Sequence, residues 1–271
     1  MTDLYAVIGN PIEHSKSPQI HTAFARQTGQ DMCYERILGD LEEFEDDVEE
    51  FIASGGRGLN VTLPFKERAF RLSNILSARA QDAGAVNTLV VREEGLYGDN
   101  TDGIGLVRDL ACNHLFAFAG ARILVLGAGG AVRGVLRPLL GERPARLVVA
   151  NRTAAKALAL AAAAARNGPV IGCGLDELHG QQFDLIINGT AAGLDAQVPE
   201  IPDDCLADGG WTYDMLYADQ PTAFVQWGQA RAAARALDGL GMLVEQAAES
   251  FRLWRGVQPD TAPVIAELRR S

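Results

Sequence analysis

The sequence is poor in cysteine and has fewer basic than acidic side chains. Its 271 residues include four cysteines, which are far apart and form no CxxC pair, so neither a disulfide framework nor a cysteine-based metal site is indicated. Lysine and arginine total 24 against 35 aspartate and glutamate residues, and the resulting charge of −11 argues against general nucleic-acid binding. A site for an anionic ligand must therefore be built locally, from a few residues.

Long apolar runs are also absent. No basic segment followed by an apolar stretch opens the chain, so a signal peptide is not expected, and no uncharged run has the length of a membrane span. Together with four cysteines taken as reduced thiols, this predicts a cytoplasmic protein with no membrane partner. With charged residues at 22% and hydrophobic ones at 48%, the composition is that of a globular protein with one large or two modest domains.

Strand-like and helix-like segments alternate along the chain, which predicts an α/β fold with a mostly parallel sheet. The predicted strands are Leu4–Ile8, Tyr34–Leu38, Gly58–Val61, Val86–Val91, Leu96–Gly98, Arg122–Leu126, Leu147–Ala150, Asp184–Ile187 and Thr212–Met215. The predicted helices are Pro18–Thr28 with Ser17 as its N-cap, Leu41–Ala53, Ala131–Leu140, the alanine-rich Ala154–Ala165 and Leu240–Trp254. The acidic run from Glu42 to Glu50 is expected to be a solvated helix face.

A glycine-rich turn, GAGGA, follows the strand ILVL directly and opens a helix. Glycines there permit a tight turn and a close approach of backbone N–H groups to a pyrophosphate at the helix N-terminus. The next strand ends at Ala150, and Asn151 follows it at the position where an NAD enzyme usually has a carboxylate for the ribose hydroxyl. Arg152 and Lys156 stand there instead, and because a guanidinium can bind a 2′-phosphate, NADP is the predicted cofactor.

Polar motifs dominate the first half of the chain. Ser15 and Ser17 are two residues apart, so in an extended segment both hydroxyls would face one small anion. Asn60 and Thr62 share a strand face by the same alternation, and Lys66 follows the turn at Pro64. Each motif alone is typical of ordinary caps, turns and solvated side chains.

Taken in order, HSKSP, NVTLPFK, GAVNT, GDNTDG, GAGGA, NRT, NGT, YDMLY and GLGMLVEQA resemble the shikimate dehydrogenase family over essentially the whole chain. The resemblance implies an N-terminal α/β substrate domain and a C-terminal Rossmann-type NADP-binding domain, with the cleft between them as the active site. Residues 1–101, joined by C-terminal helices 238–271, would form the first domain, and residues 102–237 the second. The implied reaction is the reversible NADPH-dependent reduction of 3-dehydroshikimate to shikimate, a step of chorismate and aromatic amino-acid biosynthesis.

The resemblance also implies roles for individual residues. Lys66 and Asp102 are the expected catalytic pair, and which of them carries the proton stays open. The expected substrate-binding residues are Ser15, Ser17, Asn60, Thr62, Asn87, Tyr217 and Gln246. The expected cofactor-binding residues are Gly127, Ala128, Gly129, Gly130, Ala131, Asn151, Arg152, Thr153, Lys156, Thr190, Met215 and Gly239.

One position departs from the family pattern, and two other functions compete with this prediction. Many relatives have a carboxylate before the arginine that precedes GAVNT, whereas this chain has Ala78 before Arg79. The alternatives are a quinate/shikimate dehydrogenase with relaxed cofactor use, and a non-catalytic NADP-sensing module. The expected partner is a small-molecule substrate, no metal is indicated, and the chain is expected to be a monomer or homodimer.

Overall fold

The computed structural model describes residues 2–190 and 197–270, and the chain divides into two compact units. Unit 1 comprises Met1–Gly105 and Leu243–Ser271, and unit 2 comprises Leu106–Met242. Among the described residues, every helix is too short or too polar to cross a membrane.

The strands and α-helices of these two ranges are numbered in chain order. The strands are β1 (Asp3–Gly9), β2 (Met32–Leu38), β3 (Gly56–Val61), β4 (Ile75–Leu76), β5 (Thr88–Arg92), β6 (Gly95–Asp99), β7 (Arg122–Leu126), β8 (Arg146–Asn151), β9 (Ile171–Gly174), β10 (Phe183–Asn188), β11 (Leu206–Asp214) and β12 (Arg235–Leu237). The helices are α1 (Ser17–Thr28), α2 (Phe44–Ala53), α3 (Lys66–Leu72), α4 (Ala78–Ala83), α5 (Asp102–Arg108), α6 (Gly130–Gly141), α7 (Ala154–Ala164), α8 (Ala223–Ala230), α9 (Leu240–Arg255) and α10 (Ala262–Leu268).

Unit 1 contains a mixed six-stranded sheet in the order β2-β1-β3-β5-β6-β4. β1 pairs in parallel with β2 and β3, while β5 is antiparallel to both β3 and β6, so the predicted hairpin is confirmed. On one face, Phe44 of α2 stacks on Phe65 with ring centroids 4.7 Å apart. On α9, Trp254 donates its indole N–H to the carbonyl of Leu89 at 2.9 Å. The predicted apolar stripe of the C-terminal helix therefore packs on the sheet of this unit.

Unit 2 contains a six-stranded sheet in the order β12-β11-β10-β7-β8-β9, and its neighbouring strands pair in parallel. The chain moves from β7 outward to β8 and β9, then returns to β10 on the other side of β7. The strand order therefore reverses between β7 and β10, which is where open parallel sheets of this type bind ligands.

Three helix starts differ from the sequence predictions; α6 begins one residue early, at Gly130, and the other two have a local cause. Ser17 was expected to cap α1 but is its first residue, because Lys16 already has helical angles; the predicted stop at Gly29 is confirmed by its left-handed φ of 66°. α2 begins at Phe44 rather than Leu41, since the Asp40 carboxylate accepts the backbone N–H groups of Glu42 and Glu43 and holds them in a turn.

Candidate active site

Lys66 and Asp102 form a direct ion pair in unit 1. Each is the first residue of a helix, α3 and α5 respectively, that follows the end of a strand region. The Lys66 Nζ donates to Asp102 Oδ2 at 2.7 Å, and the side chains are 29% and 14% exposed. Both groups are thus shielded enough to interact strongly and open enough to meet a ligand, as an acid–base pair requires.

Asn87 orients this pair from the opposite side of the carboxylate. Its Nδ2 donates to Asp102 Oδ1 at 2.8 Å, so the two carboxylate oxygens have different partners. The backbone N–H of Thr101 donates to Asn87 Oδ1 at 2.9 Å, which fixes the amide with its nitrogen toward Asp102. Gln246 of α9 joins the cluster, because its Oε1 accepts from Asn87 Nδ2 at 3.2 Å. The structure therefore brings Lys66, Asn87, Asp102 and Gln246 together.

Ser15 and Ser17 lie at the N-terminus of α1 rather than in an extended segment. The premise of an alternating strand was wrong here, but the Ser17 N–H donates to Ser15 Oγ at 3.3 Å, so the two residues still converge. Arg36 of β2 donates twice to the Ser15 carbonyl, at 2.6 and 3.2 Å, and holds this turn in place. Two hydroxyls at the positive end of a helix are suited to a small carboxylate.

Asn60 and Thr62 have different environments. Thr62 is half-buried, and its methyl group occupies the space where a Cβ on Gly9 would come within 2.3 Å, so the glycine is needed for this placement. Asn60 is 6% exposed and both its polar atoms have protein partners. The role of Asn60 in substrate binding stays a prediction.

A buried charge cluster supports the strand that leads to Asp102. The Arg79 guanidinium donates to both oxygens of Asp99, at 3.1 and 2.7 Å, and to Glu249 of α9 at 3.0 Å. Asp99 and Glu249 are each 1% exposed, so they need a cation. This arrangement of Arg79, Asp99 and Glu249, the charge clamp, was not predicted from the sequence. Ala78, where the sequence departs from the family pattern, directly precedes Arg79.

His21 of α1 is buried beneath the first-unit site and stays neutral. Its ring stacks on Tyr34 at 4.3 Å, and its Nε2 lies 3.1 Å from Asn60 Oδ1. Burial lowers the pKa of His21 to about 3. Because the other ring nitrogen has no partner among the described residues, an added proton there would be uncompensated.

The glycine loop of unit 2 lies at the reversal point of the sheet. Gly127 has a φ of 106°, and a Cβ there would come within 3.1 Å of the Gly189 carbonyl, so the ends of β7 and β10 meet closely. A Cβ added at Gly129 or Gly130 would meet only open space within 4 Å, and both residues are exposed. The N-terminus of α6 is therefore open to a phosphate group, with Ala128 half-buried and Ala131 exposed beside it.

The end of β8 presents cations rather than carboxylates. Asn151 folds over the following turn, with its Nδ2 donating to the Thr153 carbonyl at 3.0 Å. Arg152 and Lys156 are exposed, and Lys156 is in the first turn of α7. This donor set fits a 2′-phosphate, and among the described residues no group of acidic, histidine and cysteine side chains is arranged to hold a metal.

Asp214 organises the neighbouring strand ends of unit 2. Burial raises its pKa, and it accepts hydrogen bonds from Asn188 at 3.1 Å and Thr222 at 2.6 Å. The Thr190 hydroxyl donates to Asn188 Oδ1 at 2.8 Å, and a Cβ on Gly239 would come within 2.3 Å of the Met215 carbonyl. Thr190, Met215 and Gly239 therefore have defined positions around the ends of β10 and β11.

Tyr217 is the one expected substrate-binding residue in unit 2. Its side chain is half-buried, and burial raises the pKa of its hydroxyl, which keeps this group a neutral hydrogen-bond donor near pH 7.

Three family profiles match the chain. Residues 7–89 match the shikimate dehydrogenase substrate binding domain, residues 109–196 match shikimate / quinate 5-dehydrogenase, and residues 239–269 match the shikimate 5'-dehydrogenase C-terminal domain.

Individual relatives match over nearly their full length. A protein of Alkalilimnicola ehrlichii named shikimate dehydrogenase (NADP(+)) is 60% identical over 269 residues, covering 99% of each chain. Among solved structures, an Ael1 enzyme from Pseudomonas putida superposes with a TM-score of 0.93 at 45% identity, covering 98% of both chains. A shikimate 5-dehydrogenase from Thermus thermophilus, in complex with NADP(H) and shikimate, gives a TM-score of 0.86 at 33% identity, covering 99% of both chains.

Proposed function

The chain belongs to the shikimate dehydrogenase family, and we propose that it catalyses the reversible, NADPH-dependent reduction of 3-dehydroshikimate to shikimate. The observation that carries the proposal is the 2.7 Å contact between Lys66 Nζ and Asp102 Oδ2, with Asn87 on the second carboxylate oxygen. An alcohol–ketone interconversion needs such a proton-exchanging group at the reacting oxygen.

NADP fits the groups available in unit 2. The open turn at Gly129 and Gly130 suits the pyrophosphate, and Arg152 with Lys156 suits the adenosine 2′-phosphate. The further contacts proposed for NADP are with Gly127, Ala128, Ala131, Asn151, Thr153, Thr190, Met215 and Gly239. When bound, the cofactor supplies or accepts the hydride at the reacting carbon.

We assign the substrate carboxylate to Ser15 and Ser17 at the N-terminus of α1, with the Tyr217 hydroxyl as a further donor. Neutral donors at a helix end bind a carboxylate without the strong hold of an arginine fork, which favours release in both directions. The ring hydroxyls are assigned to Asn60, Thr62, Asn87 and Gln246.

Lys66 is proposed to exchange the proton at the reacting oxygen. The Asp102 carboxylate accepts one hydrogen bond on each oxygen, from Lys66 and from Asn87, so its role is to fix the lysine and to accept a substrate hydroxyl. An ammonium group has three protons, and only one of those on Lys66 points to Asp102. In the direction of reduction, another can pass to the forming alkoxide; in oxidation, the neutral amine accepts the hydroxyl proton.

The remaining assignments follow from this function. We assign unit 1 to substrate binding and unit 2 to NADP binding; the two units divide at residues 105/106 and 242/243, a few residues after the predicted bounds of 101/102 and 237/238. A cytoplasmic location is supported by four cysteines that are free thiols. We propose a monomer or homodimer, which light scattering on the purified protein would test.

Absorbance of the reduced nicotinamide, followed with shikimate and either NADP or NAD, tests the proposal. We expect turnover with shikimate and NADP and much weaker turnover with NAD. Turnover of quinate with NAD at a comparable rate would favour the relaxed quinate/shikimate enzyme. Binding of NADP without turnover of either substrate would favour the non-catalytic module.

A further inference from the structure

A buried carboxylate with no part in the proposed reaction lies in unit 2. Asp109 is 1% exposed and begins the single π-helical turn Asp109–Asn113, in which the His114 N–H donates to the Asp109 carbonyl at 3.2 Å. Turns of this type widen a helix locally and are frequent at functional sites. The Asp109 side chain meets two other segments of the same unit, one from β11 and one from the start of α9.

The Asp109 carboxylate accepts a hydrogen bond on each oxygen. Tyr213 of β11 donates its hydroxyl to Oδ2 at 2.7 Å, and Asn113 donates its side-chain amide to Oδ1 at 2.9 Å. The His114 Nε2 lies 3.6 Å from Oδ1. Tyr213 is completely buried, and burial together with the nearby carboxylate raises the pKa of its hydroxyl. The tyrosine therefore keeps its proton, which is used on Asp109.

The same carboxylate packs against the first turn of α9. A Cβ on Gly241 would come within 2.0 Å of Asp109 Oδ1 and within 2.4 Å of Oδ2, so this approach requires glycine. Just before the helix, the Gly239 N–H donates to the Leu216 carbonyl at 2.9 Å. The segment 239–241 is therefore held by two contacts, Gly239 by the chain that follows β11 and Gly241 by Asp109.

These contacts flank two of the residues proposed to bind NADP. Met215 follows Tyr213 by two residues, and Gly239 precedes Gly241 by two. In the sheet, β11 is three strand spacings from β8, which is about 14 Å. Since Arg152, after β8, is assigned to the 2′-phosphate at one end of NADP, Met215 and Gly239 are suited to the opposite end, which carries the nicotinamide.

We infer that Asp109 is a positioning residue for the nicotinamide end of NADP. Its carboxylate binds Tyr213, on the strand that leads to Met215. It also packs on Gly241, in the segment that contains Gly239, so one buried group couples both segments. A misplacement of about 1 Å at a reacting group can lower a rate ~10²-fold, which makes this coupling matter for hydride transfer. The inference rests on the proposed function, because it takes Met215 and Gly239 as cofactor contacts.

Asp109→Asn is the direct test, since it keeps the size of the side chain. The amide replaces one oxygen by an N–H group, which would face the donor of Tyr213 or of Asn113. We expect the single-turnover rate of nicotinamide reduction by shikimate to fall ~10- to 100-fold, with the KM for shikimate within about 2-fold of the wild type. Asp184→Asn is the matched control, because Asp184 binds Arg122 at 2.7 Å near the starts of β7 and β10. It should leave the rate unchanged.

Ligand binding separates positioning from a general loss of stability. Adenosine 2′,5′-bisphosphate contains the 2′-phosphate but no nicotinamide, so its dissociation constant should agree within about 2-fold between Asp109→Asn and the wild type. The dissociation constant of NADP should rise ~3- to 10-fold, the range for one lost hydrogen bond. Equal weakening of both ligands, or an unchanged rate of nicotinamide reduction, would overturn the inference.

Tyr213→Phe keeps the test open if Asp109→Asn does not fold, because it removes a single hydroxyl and keeps the ring. It should lower the single-turnover rate ~3- to 10-fold, and an unchanged rate would count against the inference.

A double-mutant cycle tests the contact between Asp109 and Gly241. Gly241→Ala should lower the single-turnover rate in the wild-type background, because the added Cβ would meet the carboxylate. In the Asp109→Ala background the carboxylate is gone, so Gly241→Ala should have a smaller effect. Fully additive effects would contradict the coupling.

The failure of this inference can be told from that of the proposed function. A wild-type protein that does not oxidise shikimate would refute the proposed function itself. An active wild type with unaltered variants would refute only the role of Asp109.

Discussion

Replacing Lys66 by alanine removes the proton-exchanging group and leaves its neighbours in place. Asp102 loses its 2.7 Å partner on Oδ2 but keeps Asn87 on Oδ1, so the carboxylate stays oriented. The substrate contacts assigned to Ser15, Thr62 and Gln246 do not pass through the lysine. We therefore expect the chemical step to suffer and substrate binding to change little.

The expected magnitude follows from the role of general acid–base catalysis. A positioned proton donor contributes ~10²- to 10⁴-fold, so kcat should fall by that factor, which corresponds to about 3–5 kcal/mol of transition-state stabilisation. The KM for shikimate should change by less, because only one hydrogen-bond donor to the ring is lost. Lys66→Arg should retain the ion pair but not the activity, since a guanidinium does not release its proton near neutral pH.

Steady-state rates and single-turnover rates of nicotinamide reduction measure these effects. Arg71→Ala, on the exposed face of α3, is the control for changes in this helix and should behave as the wild type. A Lys66→Ala variant with unchanged kcat and a raised KM would show that the lysine only binds substrate. A fully active Lys66→Arg would show that proton exchange occurs elsewhere.

Three further variants probe the cofactor site, the buried histidine and the charge clamp. Arg152→Ala should lower kcat/KM for NADP by ~10- to 100-fold and leave NAD use unchanged, because only NADP has the 2′-phosphate. Lowering the pH from 7 to 5 should cost about 2 kcal/mol of unfolding free energy through His21, whose pKa of ~6.5 in the unfolded chain drops to about 3 on folding. Arg79→Ala should cost about 3 kcal/mol, since it leaves Asp99 buried without its cation.

Each of these outcomes has a measurement that can contradict it. Equal losses of kcat/KM with NADP and NAD in Arg152→Ala would contradict the proposal that Arg152 binds the 2′-phosphate. Urea denaturation at pH 7 and pH 5 gives the unfolding free energy of the wild type and of His21→Phe. The wild type should lose stability as the pH falls below the pKa of the unfolded histidine, and an equal loss in His21→Phe would exclude His21 as its source. A melting temperature of Arg79→Ala equal to that of the wild type would show that Asp99 tolerates burial unpaired.

The Rossmann-type half was well predicted because its signals are local. Arg122–Leu126 matches β7 residue for residue, and the glycine turn and α6 follow directly. β9 was missed because its sequence, IGCG, contains two glycines and only a short apolar pattern. Gly172 is required there, since a Cβ would come within 2.4 Å of the Ala157 carbonyl, and such packing is invisible in the sequence.

The unit 1 site was harder to predict because its contacts join residues distant in the chain. The pairing of Lys66 with Asp102 was expected from the family motifs, and the structure places Lys66 Nζ 2.7 Å from Asp102 Oδ2. The surroundings of Asn60 were not predictable, because strand alternation gives the face on which a side chain lies but not its partners. His21 and Ser250 reach Asn60 from helices at opposite ends of the sequence.

The discontinuity of unit 1 imposes an order on how the chain can fold during synthesis. Unit 2 is continuous from Leu106 to Met242 and can fold as soon as it has left the ribosome. The first 105 residues cannot complete their fold until α9 is available. Trp254 of α9 hydrogen-bonds to the Leu89 carbonyl in the sheet, and Ser250 of α9 hydrogen-bonds to the buried Asn60 amide. A nascent chain stalled before α9 would therefore leave the Leu89 carbonyl without Trp254 and the Asn60 amide without Ser250, and protease sensitivity should persist in the N-terminal part until α9 has left the ribosome.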